Sequence, residues 1–180
     1  MNYRLGVVCL ALVLMGCQSS EVTVVDVPKS VAARPTSTSA QNASRFHVKL
    51  PDHWAPVAPG PMRLAQYEIG NGDHQVVVTV TTLPGDAGGS VSNVNRWRGQ
   101  LQLSPLSDAE MRQSIRREVR GKYTFDLASF VNPTTGKGVM GAIAIIGSDT
   151  WFVKATGPAG PLMNLRSQFD AFLASVEVTD

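Results

Sequence analysis

The sequence predicts an α+β domain over residues 45–180, an antiparallel sheet of about six or seven strands flanked by helices. Short runs rich in valine, isoleucine and threonine recur along this region, and only a few turn residues separate them. Because such short turns cannot carry the chain across a sheet, consecutive strands are expected to pair antiparallel. Two further stretches place apolar residues at helical spacing, so helices are expected to cover the sheet.

The first half of this domain predicts a strand followed by a hairpin. Residues 46–50 are expected to form a strand, and residues 55–61 a proline-rich loop. Residues 63–69 alternate apolar and polar side chains, which predicts a half-buried strand. A glycine turn at residues 70–73 joins this strand to residues 75–83, which are rich in valine and threonine, and the pair is expected to form a hairpin.

The middle of the domain predicts two helical segments. Ser90 fits the N-cap of a helix, which would place Val91, Val94, Trp97 or Arg98, and Leu101 at helical spacing. The next segment begins with Ser107 and Glu110, whose spacing is that of a capping box.

The last part of the domain predicts four strands and a helix. The strand-like runs are residues 114–119, 123–131, 138–146 and 150–156. The helix is predicted over residues 159–175. Its apolar face is formed by Leu162, Leu165, Phe169, Phe172 and Leu173.

A short apolar segment at the N-terminus ends in Leu14-Met15-Gly16-Cys17. Arg4 precedes it, and residues 5–15 are too few to span a membrane, which takes about 20 apolar residues. The motif resembles the lipobox of bacterial lipoproteins, in which cleavage precedes the cysteine and the cysteine sulfur carries lipid. This resemblance implies a signal peptide over residues 1–16 and a membrane anchor at Cys17. The alternative is an ordinary secretory signal with an incidental cysteine.

Residues 17–44 are predicted to be the lipidated cysteine and a flexible tether. The segment after Cys17 is rich in serine, threonine, alanine and proline and holds no aromatic residue, although residues 22–25 leave a short strand open. The other cysteine, Cys9, leaves with the signal, so the mature domain is expected to have no disulfide. Gln18 stands where an aspartate tends to retain lipoproteins at the inner membrane. The periplasmic face of the outer membrane is therefore the expected location in the cell envelope.

Three segments of the domain resemble PsbP/Mog1-like domains. They are the opening Phe46…Leu50-Pro51-Asp52-His53-Trp54, the stretch from Trp151 to Pro158, and the helical residues 169–176. Residues 88–101 also look like a signature of uncharacterised bacterial lipoproteins of this type. The resemblance implies an α/β/α sandwich over about residues 45–178. It implies no activity, since the named relatives assist photosystem II or bind a small GTPase, and no residue of those sites matches here.

The strongest candidate binding surface is one face of the predicted helix, formed by Asn93, Arg96, Trp97 and Gln100. Arg96 and Gln100 could hold a carboxylate or phosphate, and Trp97 could stack on a ring or sugar. The structural alternative is that Trp97 belongs to the core and that Asn93 and Arg96 bond to loop carbonyls.

Two other motifs favour a structural interpretation. The glycine-rich residues 85–89 precede a helix, as anion-binding loops do, but they lack the Walker lysine and the dinucleotide pattern, so a tight turn is expected. His47, Asp52 and His53 lie close together, but their spacing matches no metal-binding motif, and no metal is expected.

A basic stretch holds Arg112, Arg116, Arg117 and Arg120. On a strand, Arg116 and Arg120 would lie on one face and Arg117 on the other. A solvated edge strand that discourages pairing between sheets is the first interpretation, and contact with lipid A phosphates or another acidic envelope surface is the alternative.

The sequence indicates a binding protein rather than an enzyme. It has no G-x-S-x-G motif and no paired carboxylates, so no catalytic residue and no cofactor are expected. The balance of 16 basic to 14 acidic residues, together with export, argues against a nucleic-acid partner. The prediction is a monomeric, non-catalytic binding or assembly module with an envelope protein as partner. The alternatives are a small-ligand or anion-binding domain using residues 93–100, and an unrecognised hydrolase.

Overall fold

The computed structural model describes residues 45–179 of the 180-residue chain. The predicted signal peptide, the lipid attachment at Cys17 and the tether, including residues 22–25, lie outside the described residues. The described part forms a seven-stranded sheet, a separate two-stranded sheet and four α-helices, which confirms the predicted α+β class. None of these helices has the length and apolar character needed to cross a membrane.

The elements alternate between strands and pairs of helices. The strands are β1 (Phe46–His47), β2 (Ala55–Val57), β3 (Ala65–Ile69), β4 (Val76–Pro84), β5 (Arg116–Arg120), β6 (Tyr123–Asn132), β7 (Lys137–Ile146), β8 (Asp149–Pro158) and β9 (Glu177–Val178). The helices are α1 (Gly89–Gln100), α2 (Asp108–Ser114), α3 (Ala159–Asn164) and α4 (Arg166–Ala174).

The main sheet has the strand order β2-β3-β4-β8-β7-β6-β5, and every neighbouring pair is antiparallel. Two sets of consecutive hairpins build its two halves. The helices α1 and α2 carry the chain from β4, in the interior of the sheet, to β5 at the far edge. Successive hairpins then return the chain inward until β8 pairs with β4. The predicted hairpins are thereby confirmed, and β4 is joined to a strand more than sixty residues later in the chain.

The N-terminal elements differ from the prediction in two places. Of residues 46–50 only β1 is a strand, and it pairs with β9 outside the main sheet, because the two ends of the domain meet there. Part of the predicted proline-rich loop is the edge strand β2, which pairs with β3. Pro56 lies in this strand, and proline is tolerated at an edge because one side of an edge strand has no hydrogen-bonding partner.

Two helix predictions were also wrong in detail. The N-cap of α1 is Gly88, which has a φ of 82°, and Ser90 instead donates a hydrogen bond to Asp126 Oδ2 at 2.5 Å. Val91, predicted to lie on the apolar face, is 51% exposed.

The predicted last helix is broken at Leu165 into α3 and α4. Leu165 is buried in the larger core, so both helices remain packed against the sheet. The capping box of Ser107 and Glu110 is present at α2 as predicted.

Helices cover both faces of the main sheet, so the fold has three layers. The larger core lies under α3 and α4, where Trp54 stacks on Phe172 with ring centroids 5.0 Å apart. The smaller core lies under α1 and α2. It consists of Val94, Trp97, Met111, Ala128, Val139, Ile143 and Phe152.

A glycine on β7 fixes the distance between α1 and the sheet. A Cβ atom at Gly141 would lie 2.0 Å from Cζ3 of Trp97, so the indole ring occupies the space that any other side chain would fill. Trp97 is 5% exposed. The tryptophan and the glycine together hold the helix close to the middle strands.

We expect Gly141→Ala to destabilise the full chain by about 1–3 kcal/mol, because the added methyl group overlaps the Trp97 ring in a packed core. The matched control is Gly99→Ala, where an added Cβ meets no atom within 4 Å. Gly99 lies inside a helix, so alanine there is expected to stabilise the chain by up to about 1 kcal/mol. Urea unfolding monitored by circular dichroism measures both changes, and equal stability of the two variants would contradict the role assigned to Gly141.

Candidate functional site

The start of α1 is held by the side chain of Asn93, one of the predicted site residues. Its Nδ2 donates hydrogen bonds to the carbonyl oxygens of Ala87 at 3.0 Å and Gly89 at 2.8 Å. Asn93 is 4% exposed. It therefore braces the glycine-rich loop, as the structural alternative expects of this residue.

The glycine-rich loop is a tight turn whose N–H groups are used within the chain. Gly85 N donates to Ser148 O, while Gly88 N and Gly89 N donate to the side chain and the carbonyl of Asp86. Gly85, Gly88 and Gly89 all have positive φ angles, which glycine adopts without steric cost. This geometry agrees with the preferred interpretation of residues 85–89 as a connection between β4 and α1.

The other three predicted site residues are divided between the core and the surface. Trp97 packs on Gly141 in the core, as the structural alternative expects. Arg96 is exposed, and its Nη1 donates to Asn93 Oδ1 at 3.4 Å rather than to a loop carbonyl. Gln100 is exposed at the end of α1, and its Oε1 accepts a hydrogen bond from Lys154 Nζ at 3.0 Å.

Lys154 lies in a polar row that crosses the main sheet on the side of α1. The Cα pairing places Gln66 on β3, Thr79 on β4, Lys154 on β8 and Gly141 on β7 side by side. Thr79 is 8% exposed, and its hydroxyl donates to the carbonyl oxygen of Lys154 at 3.3 Å. The lysine thus stands beside the glycine that receives the Trp97 ring.

Arg63 joins this row from the loop before β3. Its Nη1 donates to Gln66 Oε1 at 2.5 Å. We call the surface formed by Arg63, Gln66, Thr79, Gln100 and Lys154 the Lys154 face. The nearest carboxylate along β3, that of Glu68, accepts a hydrogen bond from Gln75 Nε2 at 2.9 Å.

The Lys154 face is cationic and is not neutralised by the domain itself. Among residues 45–179, Arg63, Arg96 and Lys154 form no ion pair with a carboxylate, whereas five ion pairs occur elsewhere in that range. Burial lowers the pKa of the Lys154 ammonium, and the nearby Arg63 guanidinium lowers it further. Because its one side-chain partner is a neutral amide, the lysine can still accept an anionic group.

A cavity of about 510 Å³ opens beside this face. Trp97 and Gln100 line it from α1, Lys137 and Thr156 line it from the sheet, and the Asp73 carboxylate lines it from the turn between β3 and β4. Gln100 connects the two features, since it lines the cavity and bonds to Lys154. The chemistry available is recognition of an anion by ammonium, guanidinium and amide groups, with an aromatic edge nearby.

The remaining predicted motifs lie away from the Lys154 face. Over residues 45–179 no group of three or more His, Cys, Asp and Glu side chains is placed to hold a metal ion. Arg117 forms a two-point ion pair with Asp126, with contacts of 2.7 Å and 2.9 Å. Arg116 and Arg120 lie on the other face of β5 and share Glu118. The strand is at the sheet edge, as the first interpretation of the basic stretch expects.

Sequence reasoning missed Lys154, Arg63 and Gln66. One signal was present: Lys154 stands between the apolar run Trp151-Phe152-Val153 and Ala155, and these four neighbours are all buried. A charged residue in the middle of such a buried strand has its side chain on one face of the sheet. Arg63 and Gln66 give no comparable signal, because their position beside Lys154 follows from the pairing of β4 with β8.

Comparisons with known proteins identify no family for this chain. No protein-family model matches it, and no curated protein matches it. The expected membership of the PsbP/Mog1-like domains therefore stays a prediction.

Two solved structures are similar to the described fold at low identity. One is a protein from Bacteroides thetaiotaomicron VPI-5482, with 14% identity and a TM-score of 0.49; the match covers 77% of this chain and 46% of that protein. The other is LpqN, described as involved in cell envelope biogenesis of Mycobacterium tuberculosis, with 14% identity and a TM-score of 0.49. That match covers 75% of this chain and 83% of LpqN.

We expect Lys154→Met to raise the free energy of unfolding at pH 7, because it replaces a half-buried charge that has no counter-ion within residues 45–179 with an apolar chain of similar length. The folded-state pKa of Lys154 is lowered, so the unfolded chain binds more protons. Wild-type stability therefore gains a contribution as the pH rises toward about 10, where a lysine of the unfolded chain titrates. Lys154→Met has no titrating group at this position, so its stability lacks this increase with pH.

The matched control is Lys122→Met. The ion pair with Glu177, at 2.8 Å, raises the pKa of Lys122. Lys122 therefore stabilises the fold below the pKa of the unfolded chain, and this contribution disappears as the pH rises through the folded-state pKa. In urea unfolding, the stability difference between Lys154→Met and the wild type should shrink as the pH rises from 7 toward about 10. The difference for Lys122→Met should stay constant over this range, because the Lys122 contribution is lost only above the pKa of the unfolded chain. The same pH dependence for both differences would refute the environment assigned to Lys154.

Proposed function

We propose that this protein is a lipid-anchored module of the bacterial cell envelope that binds a partner and catalyses no reaction. The anchor is the lipid on Cys17, predicted from Leu14-Met15-Gly16-Cys17, and the periplasmic face of the outer membrane is the proposed location. The binding surface is the Lys154 face, extended along α1 by Arg96. The observation that carries the proposal is the half-buried Lys154 ammonium, which is held by a neutral amide and paired with no carboxylate of residues 45–179.

The proposal rests on the cost of that arrangement. Partial burial of a charge without a counter-ion lowers stability, and an apolar residue at the same position would remove the cost. A ligand or partner that brings a negative group to Lys154 replaces the lost hydration with an ion pair. We therefore assign the face to an envelope protein that presents an acidic group.

The second candidate is a small-ligand domain that binds a soluble anion at the same face. The cavity of about 510 Å³ next to Gln100 favours it, since small-molecule sites are about 300–1,000 Å³. In this case Gln100 and Lys154 hold the anionic group, and the cavity receives the rest of the molecule. Trp97 contributes a wall rather than a free stacking face, because its ring is packed in the core.

For the anchor, we expect Cys17→Ser to remove the protein from the membrane fraction or to leave it as an uncleaved precursor, because serine offers no thiol for lipid attachment. Fractionation of cells, followed by mass spectrometry of the N-terminal peptide, measures this outcome. Cys9→Ser is the control, because that residue precedes the predicted cleavage site. Normal membrane fractionation of a cleaved Cys17→Ser protein would refute the lipoprotein assignment.

For the partner, a photo-crosslinking residue at Gly99 should form an adduct with one envelope protein in intact cells. Gly99 adjoins Gln100, and an added side chain there meets no atom within 4 Å. We expect Lys154→Met to reduce the adduct about tenfold, because one charge-assisted contact is lost. The control position is Gly160, which is equally open and lies on α3, on the opposite face of the sheet.

The two candidate functions give different results. An adduct at Gly99 that depends on Lys154 and is absent at Gly160 supports the protein partner. With no adduct, phosphate titration of the isotope-labelled full chain distinguishes the second candidate, since a bound anion would shift the Gln100 side-chain amide signals in the wild type and not in Lys154→Met. If neither effect occurs, the Lys154 face is not a binding surface.

A further inference from the structure

A second cavity, of about 460 Å³, is lined by α4 and by residues of the larger core, which lie on the opposite face of the main sheet from the Lys154 face. It exists because β5 begins at Arg116, which pairs with Leu127. The residues of β6 that follow Leu127 therefore extend beyond the first residue of β5 and have no partner strand on that side among residues 45–179. The start of α4 and the end of α2 border the space that β5 leaves open. Neither Arg63 nor Lys154 lines this cavity, so it is separate from the Lys154 face.

The floor of this cavity is apolar and its rim is cationic. Leu127, Met140 and Phe169 are 6%, 3% and 4% exposed and belong to the larger core. Arg116 from β5 and Arg166 from α4 line the cavity, and both side chains are exposed. The carboxylate of Asp170 also lines the cavity, and it is bonded to Arg120. The cavity thus offers an apolar surface bordered by two guanidinium groups and one carboxylate that is already paired.

The carboxylates near the two arginines are already committed. Glu118 lies 3.0 Å from Arg116 and 2.5 Å from Arg120, and Asp170 lies 3.4 Å from Arg120. The hydrogen bond from Arg120 lowers the pKa of Glu118, and the charges of Arg116 and Arg166 lower it further. Two carboxylates, Glu118 and Asp170, therefore lie among three arginines, Arg116, Arg120 and Arg166.

Arg166 is the member of this cluster that lacks a carboxylate. Among residues 45–179 it forms no ion pair, and its Nη2 donates a weak hydrogen bond to Met163 Sδ at 3.9 Å. The guanidinium groups of Arg116 and Arg166 come from two different elements, and guanidinium groups bind carboxylate and phosphate oxygens through paired hydrogen bonds. The cluster is one negative charge short.

We propose that this cavity is a second binding site, which takes a small organic anion whose carboxylate or phosphate lies between Arg116 and Arg166 and whose apolar part lies on Leu127, Met140 and Phe169. Its volume is within the range of sites for small molecules. The hydroxyl groups of Ser114 and Ser129 line the same cavity and supply hydrogen bonds to further polar groups of the ligand.

The test is calorimetric titration of the full chain with phenyl phosphate, which combines a phosphate with an apolar ring. Inorganic phosphate and benzyl alcohol are titrated separately as the two halves, and phenylacetate replaces phosphate by carboxylate. We expect phenyl phosphate to bind at least tenfold more tightly than either half. Equal binding of inorganic phosphate and phenyl phosphate would overturn the apolar part of the proposal, and absence of phenyl phosphate and phenylacetate binding would overturn all of it.

Two variants locate the binding. Arg166→Gln should weaken phenyl phosphate binding about tenfold or more, and it should fold, because Arg166 forms no ion pair with another residue of 45–179 that the change would break. Ser129→Phe should fill the cavity and abolish binding. The matched control is Arg112→Gln, an exposed arginine on α2 that does not line this cavity, and it should bind like the wild type. The same affinity for Arg166→Gln and the wild type would refute the site.

A lipid headgroup carries the same chemistry as a free anion, so vesicles of phosphatidylglycerol form the last arm of the experiment. We expect Arg166→Gln to leave the vesicle affinity of the full chain unchanged, because a cavity of this volume encloses a small molecule and not a bilayer surface. A loss of vesicle binding in Arg166→Gln, without a loss of phenyl phosphate binding, would assign the arginines to the membrane surface and refute the small-molecule site.

Discussion

The contact between the Trp97 ring and Gly141 sets the geometry of the α1 side of the molecule. The indole ring stands where the glycine lacks a side chain, which fixes both the height of α1 above the sheet and its rotation. The rotation places Asn93 against the glycine-rich loop and brings Gln100 to the lysine beside Gly141. The structural contact and the candidate site are consequently parts of one arrangement, in which the buried ring orients the polar end of the helix.

Charge in this domain is divided between paired and unpaired groups. Arg117 with Asp126, and Lys122 with Glu177, neutralise one another across or near the edge of the sheet. The cations that lack a carboxylate partner among residues 45–179 include Lys154 on one face of the sheet and Arg166 on the other. Both proposals are based on the unpaired cations next to cavities, since ion pairs on the surface satisfy one another within the domain. Both proposed sites follow from this division.

The sequence predicted best those elements whose partners are close in the chain. The hairpin of β3 and β4, the meander from β5 to β8 and the capping box of α2 all matched, because short turns and reciprocal caps are determined by neighbouring residues. The two strand errors have different causes. β1 pairs with β9 because the ends of the domain meet, and these ends are distant in the chain. β2 lies next to β3 in the chain, but its proline-rich segment predicted a loop, and it becomes a strand because β3 offers it a free edge.

The candidate site divides in the same way. Helical spacing placed Asn93, Trp97 and Gln100 on one helix, and the glycine turn before it was also evident from the sequence. The spacing could not tell that Trp97 would be buried and Gln100 exposed, since that depends on where β7 lacks a side chain. Lys154, Gln66 and Arg63 lie far apart in the chain and meet only because β8 pairs with β4. The sequence by itself determined the α+β class, the local hairpins and the motif that predicts the anchor at Cys17. The tertiary structure decided which polar residues share a surface, because contacts between distant strands depend on the packing of the whole sheet.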